Sequence, residues 1–114
     1  MIPICFAFVG DRLCSPIDEK PKRAVPLRLR RVRNILANPH VALVVDEYVE
    51  DWRRLWYVLV SGTAAVVPPG ATGHASAVRA LRRKYPQYRT MRLEDRPVIV
   101  ITPNRITTWP RPMW

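Results

Sequence analysis

Glycine is scarce in this sequence, with four residues among 114, and the phosphate-binding loops that depend on glycine are absent. There is no Gly-x-Gly-x-x-Gly pattern and no Gly-Lys-Ser/Thr pattern. Such loops bring backbone N–H groups against a pyrophosphate or triphosphate, which requires residues without side chains. The sequence therefore offers no support for a Rossmann-type dinucleotide site or a P-loop.

Metal-ligating and nucleophilic side chains are also few. Two histidines, His40 and His74, lie far apart, and Cys5 and Cys14 do not form a Cys-x-x-Cys pair, so no metal site is expected. No nucleophile–base pair is evident, and both histidines are predicted to be surface or helix-capping residues. Because no export signal precedes them, the two thiols are predicted to be buried and reduced.

Long apolar runs are missing as well. No stretch reaches the roughly 18 residues that a membrane-spanning helix requires. The chain has the length of one domain and can bury enough surface for one core. We therefore expect a single soluble domain over residues 1–114, located in the cytoplasm.

Acidic residues are outnumbered, 9 against 19 basic ones, which gives a net charge of +10 and predicts an anionic partner. One hypothesis is a nucleic acid stacked on Trp52, Trp56, Tyr85 and Tyr88. Against it, the basic residues are spread over several elements, and Trp56 is expected in the core. The other hypothesis is a phosphorylated small molecule such as a cofactor.

The basic residues are densest before and within one predicted helix. Pro26 suits its first turn, and Asn38 ends it because a residue that precedes proline avoids helical dihedral angles. Arg30 and Asn34 are predicted to point away from its apolar side. From the charges alone, a solvent-exposed basic face remains the simpler interpretation. The apolar side consists of Leu29, Val32, Ile35 and Leu36.

Apolar runs predict six strands, and a second helix is predicted at residues 75–85. Gly10-Asp11 and Asn104-Arg105 are predicted turns, and Gly62 predicts a bulge or a close backbone approach. The order β-β-α-β-β-α-β-β indicates an α+β, mostly β domain, a closed or split β-barrel with two short helices, whose remaining apolar surface favours a dimer. The predicted strands cover residues 2–9, 12–15, 41–45, 55–67, 98–102 and 106–109.

A phosphate could be held by side chains on and near the basic helix. Arginine suits this role because its planar guanidinium binds two phosphate oxygens at once. Arg30 and Arg31 are the first candidates, together with Ser15 at a strand end and Lys20 and Lys22 on the connecting loop. Since no catalytic pair is visible, a bound cofactor is expected to carry any reaction.

Several segments, taken in this order, resemble one known family. They include the Gly-Asp-Arg turn at 10–12, Ile-Asp-Glu-Lys-Pro-Lys-Arg at 17–23, Leu-Arg-Arg-Val-Arg-Asn-Ile-x-x-Asn-Pro at 29–39 and Val-Ala-Leu-Val-Val-Asp at 41–46. Asp-x-x-Arg-Leu-Trp-Tyr-Val-x-Val-x-Gly at 51–62, Lys-Tyr-Pro-Gln-Tyr at 84–88 and the closing strands to residue 109 continue the match. The chain resembles the pyridoxamine 5′-phosphate oxidase-like split-barrel proteins (FMN-binding-like), in particular the branch that depends on the deazaflavin coenzyme F420.

This resemblance implies an oxidoreductase that transfers hydride between coenzyme F420, or alternatively FMN, and a small organic substrate. A cofactor-binding protein without turnover remains a further alternative. The resemblance also implies a homodimer, in which Tyr57 contacts the cofactor ring of the other subunit. Arg30 and Arg31 would bind the cofactor phosphate, while Lys20 and Lys22 would reach an acidic cofactor tail. The full set of implied cofactor-binding residues is Ile4, Cys5, Phe6, Cys14, Ser15, Lys20, Lys22, Arg30, Arg31 and Tyr57; catalytic residues are not implied.

Two features of the family have no counterpart in the sequence. A strand hairpin usually precedes the first strand seen here, so the domain at 1–114 is expected to lack that hairpin. The C-terminal residues with which the oxidase binds its substrate are also missing. Oxidation of pyridoxamine phosphate is therefore not expected.

Overall fold

In a computed structural model of the protein, residues 4–17, 30–47 and 56–109 are described. They form an antiparallel five-stranded sheet with two α-helices, which confirms the predicted α+β, mostly β class and its likeness to a split barrel. The strand order across the sheet is β1-β2-β5-β4-β3. The elements are β1 (Ala7–Val9), β2 (Arg12–Pro16), α1 (Arg30–Ala37), β3 (His40–Glu47), β4 (Trp56–Val67), α2 (His74–Lys84), a 3₁₀ helix (Pro86–Arg89) and β5 (Val98–Trp109).

The predicted hairpin at the start of the chain is confirmed, but its first strand is shorter than expected. Val9 pairs with Arg12 across a turn in which Gly10 has a φ of +61°, a value that glycine adopts without steric cost. Residues 4–6 lie outside the ladder. Continuing the register would set Cys5 opposite Pro16, and proline has no N–H to donate, so the ladder stops there.

The predicted turn at Asn104-Arg105 is wrong, because β5 runs unbroken through it. The two strands predicted at 98–102 and 106–109 are one, and the described residues contain five strands where six were expected. Ser61 pairs with Arg105 and Gly62 with Pro103, which leaves Asn104 as the extra residue of a bulge. At this bulge the strand accommodates Pro103 and the unpaired Asn104, and it continues on the other side.

Gly62 confirms the predicted close approach at this bulge. A Cβ added to Gly62 would stand 2.5 Å from the carbonyl oxygen of Thr102. Any side chain at position 62 would collide with this backbone oxygen, which cannot move aside as the end of a flexible side chain can.

Because side chains alternate along a strand, the sheet has two faces, which we name after the helices that cover them. On the α1 face, Ile35 of α1 packs against a core of strand residues that includes Leu13 and Ile101. On the α2 face, Cys14 and Val98 lie among buried residues of α2. Residues that are neighbours in sequence on β2 therefore belong to different cores.

The helices confirm the predicted ends and correct parts of the predicted faces. Helix α1 ends at Ala37, before Asn38-Pro39, and α2 ends at Lys84, before Pro86. In α1, Val32 is fully buried and Ile35 half-buried as expected, but Leu36 is 64% exposed. The buried side of α1 is therefore narrower than the sequence predicts. The helix start predicted at Pro26, and Leu29, lie outside the described residues.

Candidate functional site

A cavity of about 280 Å³ lies between α1 and the sheet face that α1 covers. Its floor comes from four adjacent strands, and one side is formed by the segment before β1. Such a cavity is slightly smaller than a typical small-molecule site, whose volume begins near roughly 300 Å³. The lining residues are Ile4, Ser15, Asn34, Ile35, Val41, Ala42, Leu43, Ala64, Ile99 and Ile101.

Ser15 is the polar residue buried in this otherwise apolar floor. It sits on β2 opposite Ile99 and is 3% exposed. Its backbone belongs to the ladder, but within residues 4–17, 30–47 and 56–109 its hydroxyl has no hydrogen-bond partner. Because a buried hydroxyl without a partner is costly, this group is poised to bond with a polar ligand atom.

Helix α1 contributes Asn34 and Ile35 to the cavity lining. Positions 30 and 31 lie one helical turn before these two residues, and residues three and four apart share a side of a helix. Asn34 is exposed, as its predicted position away from the apolar side requires, and it also borders the cavity. Among the described side chains of α1, at 32–37, only Val32 is fully buried.

The segment before β1 reaches the cavity through Ile4, which lines it. Phe6 packs against the α1-face core, and Cys5, between them, packs against the α2-face core instead. Of the predicted residues that the structure describes, Ile4 and Ser15 line the cavity.

Cys14 is separated from this group by the sheet itself. Its side chain lies on the α2 face, where Sγ–H is 3.5 Å from the carbonyl oxygen of Ala7 and 3.8 Å from that of Ala77. Burial raises the pKa of the Cys14 thiol, although the bond to Ala7 and the charge of Lys84 act in the opposite direction. Cys14 and Cys5 are both free thiols. Cys14 is buried, as predicted, whereas Cys5 is only half-buried.

Tyr57 also lies away from the cavity. It pairs with Asp46 and Trp109 across the sheet, and its ring stacks on the Trp109 ring with centroids 6.2 Å apart. Val58, the next residue, faces the α1-face core, so Tyr57 belongs to the opposite face. The remaining predicted residues, Lys20 and Lys22, lie outside the described part of the chain.

Among the described residues, the histidines and carboxylates place no acid–base pair at the cavity. His74 was expected at the surface or at a helix cap, but it is buried in the first turn of α2, and its Nε2 lies 2.6 Å from the carbonyl oxygen of Arg96. A carbonyl only accepts, so Nε2 carries the proton. His40 is exposed, as predicted, and Asp46 belongs to β3.

The aromatic residues proposed as stacking platforms for nucleic acid are largely occupied. Tyr88 is 2% exposed, and Tyr85 bonds to the backbone of Phe6. Trp56 is exposed rather than in the core, because it opens β4 beyond the reach of α1. Trp52 lies outside the described residues.

An apolar cavity with a few polar side chains, such as the one between α1 and the sheet, is the kind of feature at which small molecules bind in proteins. The sequence profile of the family described as pyridoxamine 5′-phosphate oxidase matches residues 25–110. The chain therefore belongs to the pyridoxamine 5′-phosphate oxidase family, whose members are generally flavin-binding oxidoreductases. A comparison with curated proteins finds no match.

Two further findings bear on the class of protein. In the described ranges, no helix is both long and apolar enough to cross a membrane. Over the same residues, His, Cys, Asp and Glu side chains do not gather in threes as potential metal ligands.

Proposed function

We propose that the cavity beneath α1 binds coenzyme F420, or alternatively FMN, and that the protein is an oxidoreductase acting on a small organic substrate. One observation carries the proposal. The hydroxyl of Ser15, which has no hydrogen-bond partner among the described residues, lies in the cavity floor, and positions 30 and 31 lie one turn before the cavity-lining residues of α1. A hydroxyl and two guanidinium groups are the donors that a phosphate requires.

The chemistry of the lining supports this assignment. Apart from Ser15, its strand residues are apolar, which suits the ring system of a flavin, and its polar side chains are Ser15 on β2 and Asn34 on α1. When bound, the cofactor supplies hydride transfer to or from the substrate. This chain's residues would bind the phosphate, exclude water from the floor and orient the ring along residues 4–6.

We further propose that residues 1–114 form a single split-barrel domain that works as a homodimer. Tyr57 lies on the sheet face opposite its own cavity, so it could serve only the cavity of another subunit. The same face exposes Val44 and Trp109, and it carries Asp46 and Arg105, which a twofold axis could bring together. The free thiols support a reducing compartment such as the cytoplasm.

The test of the cofactor is a titration of the purified protein with FMN and with F420, followed by fluorescence. We expect saturable binding to one of them, weakened at least tenfold by Arg30→Gln or Arg31→Gln, because each removes a charge-assisted bond to phosphate. Arg33→Gln removes the same charge from an exposed position of the same helix and should change the affinity less than twofold. Equal losses in all three variants would indicate a general charge effect and contradict the phosphate assignment.

The same protein can be titrated with single-stranded DNA over a range of salt concentrations. Binding to nucleic acid falls steeply with salt because counterions are released. Tight, salt-sensitive DNA binding without saturable cofactor binding would replace the oxidoreductase proposal with the nucleic-acid alternative.

The test of the dimer is sedimentation of two charge substitutions on exposed strand residues. Val44→Glu alters the face that carries Tyr57, whereas Phe8→Glu alters β1 at the far edge of the sheet. We expect a dimer for the unmodified protein and for Phe8→Glu, and a monomer for Val44→Glu. A monomeric unmodified protein would refute the dimer.

A further inference from the structure

Lys84, at the end of α2, and Tyr85, the residue after it, bond to the segment whose Ile4 lines the candidate cavity. Lys84 Nζ donates to the carbonyl oxygen of Phe6 at 2.7 Å. The hydroxyl of Tyr85 donates to the same oxygen at 3.0 Å and accepts from the N–H of Phe6 at 3.1 Å. Lys84 Nζ also lies 3.7 Å from the centre of the Phe6 ring, a distance at which a cation attracts an aromatic face.

These contacts take the place of a strand ladder. Residues 4–6 have no strand pairing, because Pro16 opposite Cys5 cannot donate to it. The N–H of Phe6 instead bonds to the side chain of Tyr85, and its carbonyl oxygen accepts from Lys84 and Tyr85. Without those side chains, the segment would be held only by its apolar contacts.

The segment is placed so that its position changes the cavity. Ile4 lines the cavity, and Phe6 packs with Leu13 and Ile101 in the α1-face core. Cys5 packs against the α2-face core, as Tyr85 also does. A shift of residues 4–6 therefore widens or narrows the cavity, although Lys84 and Tyr85 do not line it.

We propose that Lys84 and Tyr85 are positioning residues, which hold Phe6 and thereby fix Ile4 in the cavity wall, and so set the affinity of the cavity for its cofactor. This inference rests on the proposed cofactor site. Helix α2 is well suited to the role because its own position is fixed at both ends. His74 bonds to the carbonyl of Arg96 at one end, and Arg82 bonds to the carbonyls of Tyr88 and Met91 near the other.

Two variants remove the bonds with little change in shape. Tyr85→Phe deletes the hydroxyl but retains the ring, whose edge contact with Tyr88 has a centroid distance of 5.5 Å. Lys84→Gln deletes the ammonium. Arg79→Gln is the matched control, since it removes one exposed charge from the same helix, where the guanidinium bonds only one turn back, to Ser76.

The first measurement needs no cofactor. Cys5 is half-buried in the segment and Cys14 is buried, so the rate at which a maleimide labels Cys5, identified by mass spectrometry, reports how often the segment opens. We expect a rise of about tenfold for Tyr85→Phe, which loses two hydrogen bonds, and no rise for Arg79→Gln. The double variant should show less than the product of the single effects, because both residues serve one carbonyl.

The second measurement is the affinity for FMN and for F420 at a temperature where all variants remain folded by circular dichroism. We expect about a tenfold loss in Tyr85→Phe and in Lys84→Gln, with partial recovery in Lys84→Arg, whose guanidinium can still donate to Phe6. Faster labelling of Cys5 with unchanged affinity would show that the contacts are merely structural and overturn the proposal. Faster labelling in a protein that binds neither cofactor would reject the proposed function while leaving the restraint on Phe6 in place.

Discussion

Helices α1 and α2 cover opposite faces of one sheet, and they differ in how completely they pack. Helix α2 buries four residues, His74, Ala77, Val78 and Leu81, and it is tied at both ends by the side chains of His74 and Arg82. Over its described side chains, at 32–37, α1 buries only Val32 fully and leaves Leu36 exposed. The α1 face also holds the cavity and the unpartnered hydroxyl of Ser15.

The difference indicates that the α2 face mainly stabilises the fold, whereas the α1 face retains the features that binding requires. Stability is concentrated where apolar surface is fully buried and polar groups are satisfied, as on the α2 face. Binding requires room and unsatisfied polar groups, which the α1 face retains. Substitutions of buried residues on the α2 face should therefore mainly lower stability, whereas substitutions at the cavity on the α1 face should mainly change binding.

The largest effect is expected in the α2 core. Leu81 is fully buried, so Leu81→Ala should lower the free energy of unfolding by about 3 kcal/mol, through lost transfer energy and the cavity left behind. Leu36→Ala, the same change on α1 at a position that is 64% exposed, should alter it by no more than about 0.5 kcal/mol. Both values follow from urea denaturation, and similar losses would show that the faces contribute equally to stability.

A smaller loss of stability is expected at Gly62 on the α1 face, where the backbone of β5 lies close to the glycine. Gly62→Ala places a Cβ 2.5 Å from the carbonyl oxygen of Thr102 and 3.1 Å from the side chain of Ile101. The strands must separate to accommodate it, at a cost of about 2 kcal/mol. Ser61→Ala, one residue earlier on the other face, is the control and should be nearly neutral in the same denaturation experiment.

Much of this arrangement could be predicted from local pattern. Strand and helix periodicity, proline stops and the glycine at position 62 identified most elements, because each of these signals acts within a few residues. Pro103 and Asn104 looked like a turn, yet pairing along β4 carries β5 through them as a bulge. That pairing joins residues some forty positions apart, which no local pattern contains.

The site was predicted less completely, for a related reason. Ser15 and the arginine positions of α1 were recognised by residue type, and the resemblance to a family supplied the segment at 4–6. Which face each side chain occupies depends on strand register, so the separation of Cys14 and Tyr57 from the cavity was not visible in the sequence. The bonds from Lys84 and Tyr85 to Phe6 link opposite ends of the chain and carry no sequence signal.

The third prediction concerns Ser15, where stability and binding should change in opposite directions. Ser15→Ala removes a buried hydroxyl that lacks a partner in the described part of the chain, so the free energy of unfolding should rise by up to about 1 kcal/mol. The affinity for FMN or F420 should fall about tenfold, since the same hydroxyl is a proposed phosphate donor. Denaturation and titration of one preparation measure both, with Ser61→Ala as the control.

If Ser15→Ala instead destabilises the protein, the hydroxyl already has a partner in the folded chain and is not free to bind a phosphate. If the stability rises while the affinity is unchanged, the cavity is an apolar void rather than a phosphate site. Either result would remove the central support for the proposed function.

The smallest effect is expected on the α2 side, where an exposed ion pair helps to hold the segment after α2. Arg82 pairs with Glu94, and this bond lowers the pKa of the Glu94 carboxyl to about 2. A carboxyl whose pKa is lower in the folded state stabilises the protein above its unfolded value, near 4.5, and that contribution is lost as the pH falls towards 2. The unmodified protein should therefore be slightly more stable than Glu94→Gln at neutral pH, and the difference should vanish through this acid range. High salt should reduce this stability difference because the pair is exposed. The other Glu94 oxygen accepts a hydrogen bond from the Leu93 N–H at 3.1 Å. A stability difference that persisted at pH 2 would mean that this bond, rather than the charge of Glu94, holds the segment.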